Sequence, residues 1–173
     1  MAWSVNTDLV KGNDMWLYLV DLSGGTMTSG MVANAKVLAY SQSCSFEINS
    51  DTLDVTTKLS CRWSAVMQGN ASYTVSSDNL YCLQSSAAAN SAITVDDLFE
   101  AMVEGDNLGW IMAQDISARP GGECGTVEGP DTEKPYYWGE GAITSLSIVA
   151  GNNEICTSSI TITGSGEPNK GGA

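Results

Sequence analysis

The stretch Cys44-Ser45-Phe46-Glu47-Ile48-Asn49-Ser50-Asp51-Thr52-Leu53-Asp54-Val55-Thr56-Thr57 decides the fold class. Cys44, Phe46 and Ile48 alternate with Ser45, Glu47 and Asn49; after Ser50, Leu53 and Val55 alternate with Asp54 and Thr56. A two-residue period marks a strand with one packed and one wet face, because successive side chains leave the backbone on opposite sides. Asn49-Ser50-Asp51 carries turn-forming side chains, so the stretch predicts a strand, a turn and a second strand. Downstream, Arg62 to Gln68, a turn at Gly69-Asn70, and Ala71 to Ser76 with Tyr73 and Val75 on one face continue the pattern. Half-buried antiparallel hairpins account for all of it.

Upstream, Met15 to Leu22 (MWLYLVDL) is almost continuously apolar, as in a strand buried on both faces. Ser23-Gly24-Gly25-Thr26-Met27-Thr28-Ser29-Gly30 follows, a glycine-rich loop longer than a hairpin needs and read as an exposed, flexible arm over 23–36. One helix is expected from Thr94, whose hydroxyl can cap it while Asp97 completes a capping box; Gly105 ends it. Leu98, Phe99, Met102 and Val103 form its apolar stripe. Leu108 to Ile116 reads as a strand, 117–137 as an irregular acidic loop, and Trp138 to Ala150 with Glu154 to Thr163 as a last hairpin. The Gly/Pro-rich tail 164–173 is expected to be mobile. The whole is a mainly β fold: one domain over 1–173, an antiparallel barrel or sandwich of about seven or eight strands with one helix and extended arms.

Composition narrows the chemistry. The chain has 173 residues, 43% of them hydrophobic, enough for a core without staples. It holds no histidine, which removes Ser-His-Asp and Cys-His nucleophiles, imidazole proton shuttles and His-based metal sites. Lys plus Arg number 7 against 20 for Asp plus Glu, a net charge of −13. The seven cations are scattered, so conventional nucleic-acid or membrane-surface binding is disfavoured. Residues 96–140 alone hold 11 acids and 2 bases.

Five cysteines (Cys44, Cys61, Cys82, Cys124, Cys156) show no C-x-x-C pair and read as small hydrophobes in a reducing compartment. Met1 to Asp14 lacks the basic and apolar regions of a secretory leader, and no apolar run approaches a membrane span. Asp96/Asp97 are explained by the helix start and Asp51/Asp54 by a turn and a wet strand face, which leaves neither pair as an acid/base couple. Gly121 to Glu133 offers oxygen ligands without calcium-loop spacing, and Gly121-Gly122-Glu123-Cys124-Gly125 lacks the Gly-Lys-Ser/Thr of a phosphate loop. No enzyme and no cofactor are expected.

Cys44 to Lys58, followed by Arg62-Trp63-Ser64 and Gln68-Gly69-Asn70-Ala71-Ser72-Tyr73-Thr74-Val75, resembles the major tail, or tail tube, protein of long-tailed bacteriophages. Gly141 to Ile148 together with Thr161-Ile162-Thr163-Gly164-Ser165-Gly166-Glu167 is similar to that family's final hairpin, and the helix at Thr94 to Glu104 falls where the family has one. The resemblance, which extends in fold to the tube protein of type VI secretion, implies a structural virion protein. It implies hexameric rings that stack through loops and termini into a hollow tube for DNA. Its implied partners are further copies of itself, other tail proteins such as the tape measure, tail terminator and tail tip, and DNA in transient, non-specific passage. It implies no membrane binding, and assembly in the host bacterial cytoplasm into the virion tail. An acidic lumen would repel phosphate over about one Debye length, ~8 Å. Glu47 and Asp54 are expected to face that lumen, and Ser23 to Gly30 to form the arm between rings. The alternative is an acidic β-sandwich adhesion module, calcium-dependent or sugar-binding, with Trp63, Trp110 or Trp138 as platforms.

Overall fold

Eight strands make one sheet in the order β3-β4-β8-β7-β6-β1-β2-β5. They are β1 (Met15–Asp21), β2 (Lys36–Leu38), β3 (Ser41–Asp54), β4 (Val66–Leu80), β5 (Ala92–Ile93), β6 (Asn107–Gln114), β7 (Tyr136–Val149) and β8 (Thr157–Gly171). These come from a computed structural model, which describes residues 10, 12–22, 24–60, 62–81, 92–118 and 127–172. All neighbours pair antiparallel except β2 with β5. The sheet is therefore mainly antiparallel, as its alternating pattern predicts, and it is open rather than a closed barrel. It curls strongly, since the Cys44 thiol of the end strand β3 lies 3.8 Å from the Met15 carbonyl oxygen of β1.

Inside the curl, Leu17, Leu19, Val75, Trp110, Ile160 and Ile162 are fully or almost fully buried in one cluster, each such side chain contributing about 1.5–3 kcal/mol. Helix α1 (Val95–Glu104) closes this cluster with Leu98. A second cluster lies on the outer face of β1 and β6, where Tyr18, Ile111 and Ala113 are covered by Leu22, Met27 and Val32 from the segment after β1. That cover explains why MWLYLVDL carries no polar alternation: Leu17 and Leu19 face in, Tyr18 faces out, and both sides are dry.

The same cover revises the reading of 23–36 as a flexible arm. Gly24 to Thr26 are exposed, but Met27 and Val32 are buried and Ser29–Asn34 forms a 3₁₀ turn. Met27 sits against Gly109, where a Cβ would come within 2.6 Å of its sulfur, and its amide donates to Glu140 at 2.6 Å. Ser23 lies outside the described residues.

The helix starts and stops as the sequence dictates. The Thr94 hydroxyl accepts from the Asp97 amide, the Asp97 carboxylate accepts from the Thr94 amide at 2.8 Å, and Gly105 caps the end at φ 79°. Its buried face differs from the expected stripe: Val95 and Leu98 are buried, and Phe99, Met102 and Val103 are exposed. Ala101, half-buried against the core, takes the place expected of bulkier side chains.

Two turns and a tail are also corrected. No reversal occurs at Asn49-Ser50-Asp51 or Gly69-Asn70; these segments face each other inside one long β3–β4 ladder. Register moves from Ser50↔Ala71 to Thr52↔Gln68, so Gly69-Asn70 supplies a bulge instead of a turn. The segment 164–173, expected to be mobile, is strand to Gly171, paired Glu140↔Ser165, Trp138↔Asn169 and Tyr136↔Gly171. It lacks apolar alternation because its order comes from the β7 ladder, with a bulge at Gly166 (φ 77°) absorbing the Gly-Glu-Pro run. Of the loop expected over 117–137, residues 119–126 lie outside the described residues and Tyr136 already begins β7.

Candidate assembly surface

β3 and β4 outgrow the sheet. From Leu80↔Thr157 to Thr74↔Thr163, β4 pairs with β3 on one side and β8 on the other. Beyond Thr163, β8 continues along β7 alone, and Val66 to Tyr73 pairs only with β3. A two-stranded hairpin thus leaves the body at Tyr73 and reverses through residues 55–65, where the Val55 amide bonds the Ala65 carbonyl at 2.9 Å.

Tyr73 anchors the departure point. Its hydroxyl donates to the Glu140 carbonyl at 2.5 Å, and its ring packs at 5.9 Å edge-on to Phe46 and 5.5 Å from Trp110. Gly164 and Gly139 leave it room, since a Cβ at Gly164 would overlap the ring. Past this point the apolar side chains no longer share one face: Ile48 stands on the side of Phe46, Leu53 and its partner Met67 on the side of Glu47, and Val66 opposite them. Ile48, Leu53, Val66 and Met67 are exposed, and at the tip Leu59 and Trp63 are 92% and 82% exposed. Exposed apolar side chains on both faces of a two-stranded extension signal a segment that another protein covers.

The wet face of the body has a different chemistry. Ser43, Ser45 and Glu47 of β3 lie opposite Asp78, Ser76 and Thr74 of β4. The row continues with Ser159, Thr161 and Thr163 of β8 and Ser145 and Ser147 of β7. Neighbouring strands join across it by Ser45–Ser76 at 2.7 Å, Ser43 to Asp78 at 2.9 Å, Ser147–Ser159 at 2.7 Å and Thr144–Thr163 at 2.9 Å. Small hydroxyls thus satisfy one another along a nearly uncharged surface.

Glu47 belongs to this face, because Phe46 next to it packs at 4.8 Å on Trp110 inside. Asp54 stands an odd number of residues further along the same strand, and the intervening bulge is on β4, so it points to the opposite side. The two acids therefore do not share one face, as the broken-strand reading required. Asp54 accepts from the Thr56 amide at 2.8 Å, and hydrogen bonds from the Thr56 side chain and backbone hold its carboxyl below the ordinary range.

Other acids are structural. Buried Asp115 accepts from the Tyr18 hydroxyl at 2.5 Å and from the amides of Ser117 (2.8 Å), Glu128 (3.2 Å) and Gly129 (3.0 Å). Burial pushes this carboxyl up, but the bonds from Ser117, Tyr18 and Gly129 outweigh it and hold it below the usual range. Burial, then Asp115 itself, pushes the Tyr18 phenol far up. The arrangement ties both ends of the acidic loop to β1 through one carboxylate. Cys44 is a half-buried free thiol pushed up by burial; Cys61, Cys82 and Cys124 lie outside the described residues. Trp110 is fully buried, which removes it as a sugar platform. Among the described residues no group of His, Cys, Asp and Glu could hold a metal ion, and no helix is long and apolar enough to cross a membrane.

A family model described as phage tail tube protein matches residues 9–170. The chain belongs to that family. Members are structural components of the virion tail, not enzymes. No match to a curated protein was found by sequence. Among solved structures, the tail of an empty gene transfer agent particle, of C6 symmetry, is 17% identical over 93% of this chain and 98% of its own, with a TM-score of 0.65. The SPP1 tail tube is 11% identical over 95% and 80%, TM-score 0.61. The baseplate of the anti-feeding prophage is 7% identical over 96% and 97%, TM-score 0.54. These likenesses show the tail-tube fold.

Sequence reading located the helix and the last hairpin but not the projection, because two-fold alternation is identical whether a strand packs on its own core or on a neighbour. The signal was present as Leu59 and Trp63, two large apolar residues in a stretch rich in Thr, Ser, Lys and Arg. The serine and threonine face was legible in the spacing of Ser43, Ser45, Thr74 and Ser76.

Proposed function

We propose that this tail tube subunit assembles into hexameric rings that stack into the hollow tube through which DNA passes. The observation that carries the reading is the hairpin beyond Tyr73, whose apolar side chains find no cover in their own fold. Six-fold arrangement is supported by the C6 symmetry of the gene transfer agent tail with the same fold. In a ring, the serine and threonine face with Glu47 and Asp78 lines the lumen: its hydroxyls are satisfied by one another and its few charges repel phosphate. Asp54 then belongs to the hairpin and not to the lumen. Gly24 to Thr26, exposed above the buried Met27, remain a contact for a neighbouring subunit. Further copies, a tape measure, a terminator and a tail tip are the partners this role requires.

Gold-labelled antibody against the chain, applied to whole particles under negative stain, tests the reading. Label spaced along the tail shaft after sheath or surface proteins are stripped is the expected result. Label confined to capsids or fibres would overturn it.

A further inference from the structure

The ladder between β4 and β8 ends in a polar pair on the inside of the curl. Val75, Ser77 and Asn79 of β4 share the inner face, as do Ser158, Ile160 and Ile162 of β8, since alternate residues of a strand fall on one side and Val75, Ile160 and Ile162 belong to the core. Asn79 lies directly opposite Ser158, one pair before the ladder stops at Leu80↔Thr157. Asn79 is fully buried and Ser158 is 3% exposed. Among the described residues, Asn79 Nδ2 and Ser158 Oγ have no hydrogen-bond partner. Asn79 Oδ1 is engaged in a serine network that reaches β3. It accepts from the Ser77 hydroxyl at 2.8 Å, and that hydroxyl stands 2.7 Å from the Ser43 carbonyl oxygen and 3.0 Å from the Ser41 hydroxyl. One hydroxyl hydrogen serves two acceptors there, while the amide hydrogens of Asn79 and the hydroxyl of Ser158 are donors without an acceptor. Trp110 Nε1 is also buried without a bond, but the Tyr73 hydroxyl lies beside it, since a Cβ at Gly139 would meet both, at 3.1 and 2.8 Å.

We infer that one ordered water sits between Asn79 and Ser158, accepting from the amide N–H of the first and the hydroxyl O–H of the second. Leaving buried donors unmade costs more than an ordinary hydrogen bond gains, so native folds satisfy them. Side chains directly opposite on paired antiparallel strands have Cβ atoms about 4.5–5.5 Å apart, a span that a water with two or more polar partners bridges. The site is polar and shut off from solvent, the setting in which a buried water is a fixed part of a structure. It lies at the end of the β4–β8 ladder away from Tyr73. The supported half of β4 is then pinned at both ends, by an aromatic ring at one and a bridged polar pair at the other. Because the site is internal to the subunit, it holds in the free chain and in an assembly alike.

A density map of the wild-type chain, crystallised or in tubes, at a resolution that shows its other buried waters, should place a peak about 2.7–3.2 Å from both Asn79 Nδ2 and Ser158 Oγ. No peak there, or an amide turned so that its oxygen takes the Ser158 hydroxyl directly, would overturn the assignment. Denaturant unfolding of the purified subunit adds the sign of an effect. With the water in place, Ser158→Ala should lower the folding equilibrium constant roughly 3- to 10-fold. Asn79→Ala combined with Ser158→Ala should lower it by less than the product of the two single effects, because both side chains hold the same water. In a dry site, removing an unpaired buried hydroxyl leaves the constant unchanged or raises it, and that result would overturn the inference.

Discussion

Strand β3 shows two fates for one pattern. In its first half, Cys44 and Phe46 alternate with serines, and Phe46 packs on Tyr73 and Trp110 in a core closed by α1. In its second half, Ile48 continues the face of Phe46 and Leu53 stands on the other face, and both stay exposed. The difference does not arise in the strand. It arises in β8, which supports β4 as far as Thr74 and then leaves it. Amphipathic alternation therefore reports that a face will be covered, while the third strand decides whether the cover comes from the same chain.

The largest expected effect comes from breaking the boundary itself. Tyr73→Ala removes the ring that joins Phe46, Trp110 and Gly164 and should cost about 3–5 kcal/mol of folding stability by the usual scale for buried aromatics. Denaturant unfolding of the purified subunit would measure it. A loss under about 1 kcal/mol, the size of one hydrogen bond, would mean that the hairpin is not anchored there.

A smaller effect sharpens the body's side of the comparison. Asp115 binds its proton less readily in the folded chain than in the unfolded one, since its carboxyl is held below the ordinary range. The stability this contributes is complete above the unfolded value near ~4 and is lost as pH falls through the lower folded value. Stability should accordingly drop in acid below about pH 4, and Asp115→Asn should flatten that drop while lowering stability at neutral pH. An unchanged acid limb in the variant would show that the loop clamp has no part in it.

The smallest effect on folding is expected in the hairpin. Leu53→Ser with Val66→Ser changes side chains already in water, so stability should move by no more than about 0.5 kcal/mol per site. Tube formation, followed by sedimentation and microscopy, should fall sharply in the same variant. Matched losses of folding and assembly would place these residues in the subunit's own core and erase the contrast.

Much of this was legible in advance for identifiable reasons. Thr94, Asp97 and Gly105 specify the helix ends through local bonds, so the sequence carried them in full. MWLYLVDL announced two dry faces, and Tyr18 under Met27 and Val32 shows both. The misread segments share a cause: Gly69-Asn70 and Gly166-Glu167-Pro168 have turn chemistry but serve as bulges within ladders whose partners are distant in the chain. Likewise Phe99 and Met102 met the spacing rule for a buried stripe, and only the position of β7 and the small Ala101 turn the helix so that they remain outside. As for the candidate surface, sequence read Glu47 and Asp54 as one polar face. It could not supply the unbroken strand that separates them.

The hairpin that projects at one end of the sheet has a further consequence. Under the proposed stacking, subunits joined head to tail would build a rod whose two tips are chemically distinct, with the hairpins projecting at one of them. Proteins that close the two tips of such a rod would have to be shaped for opposite surfaces.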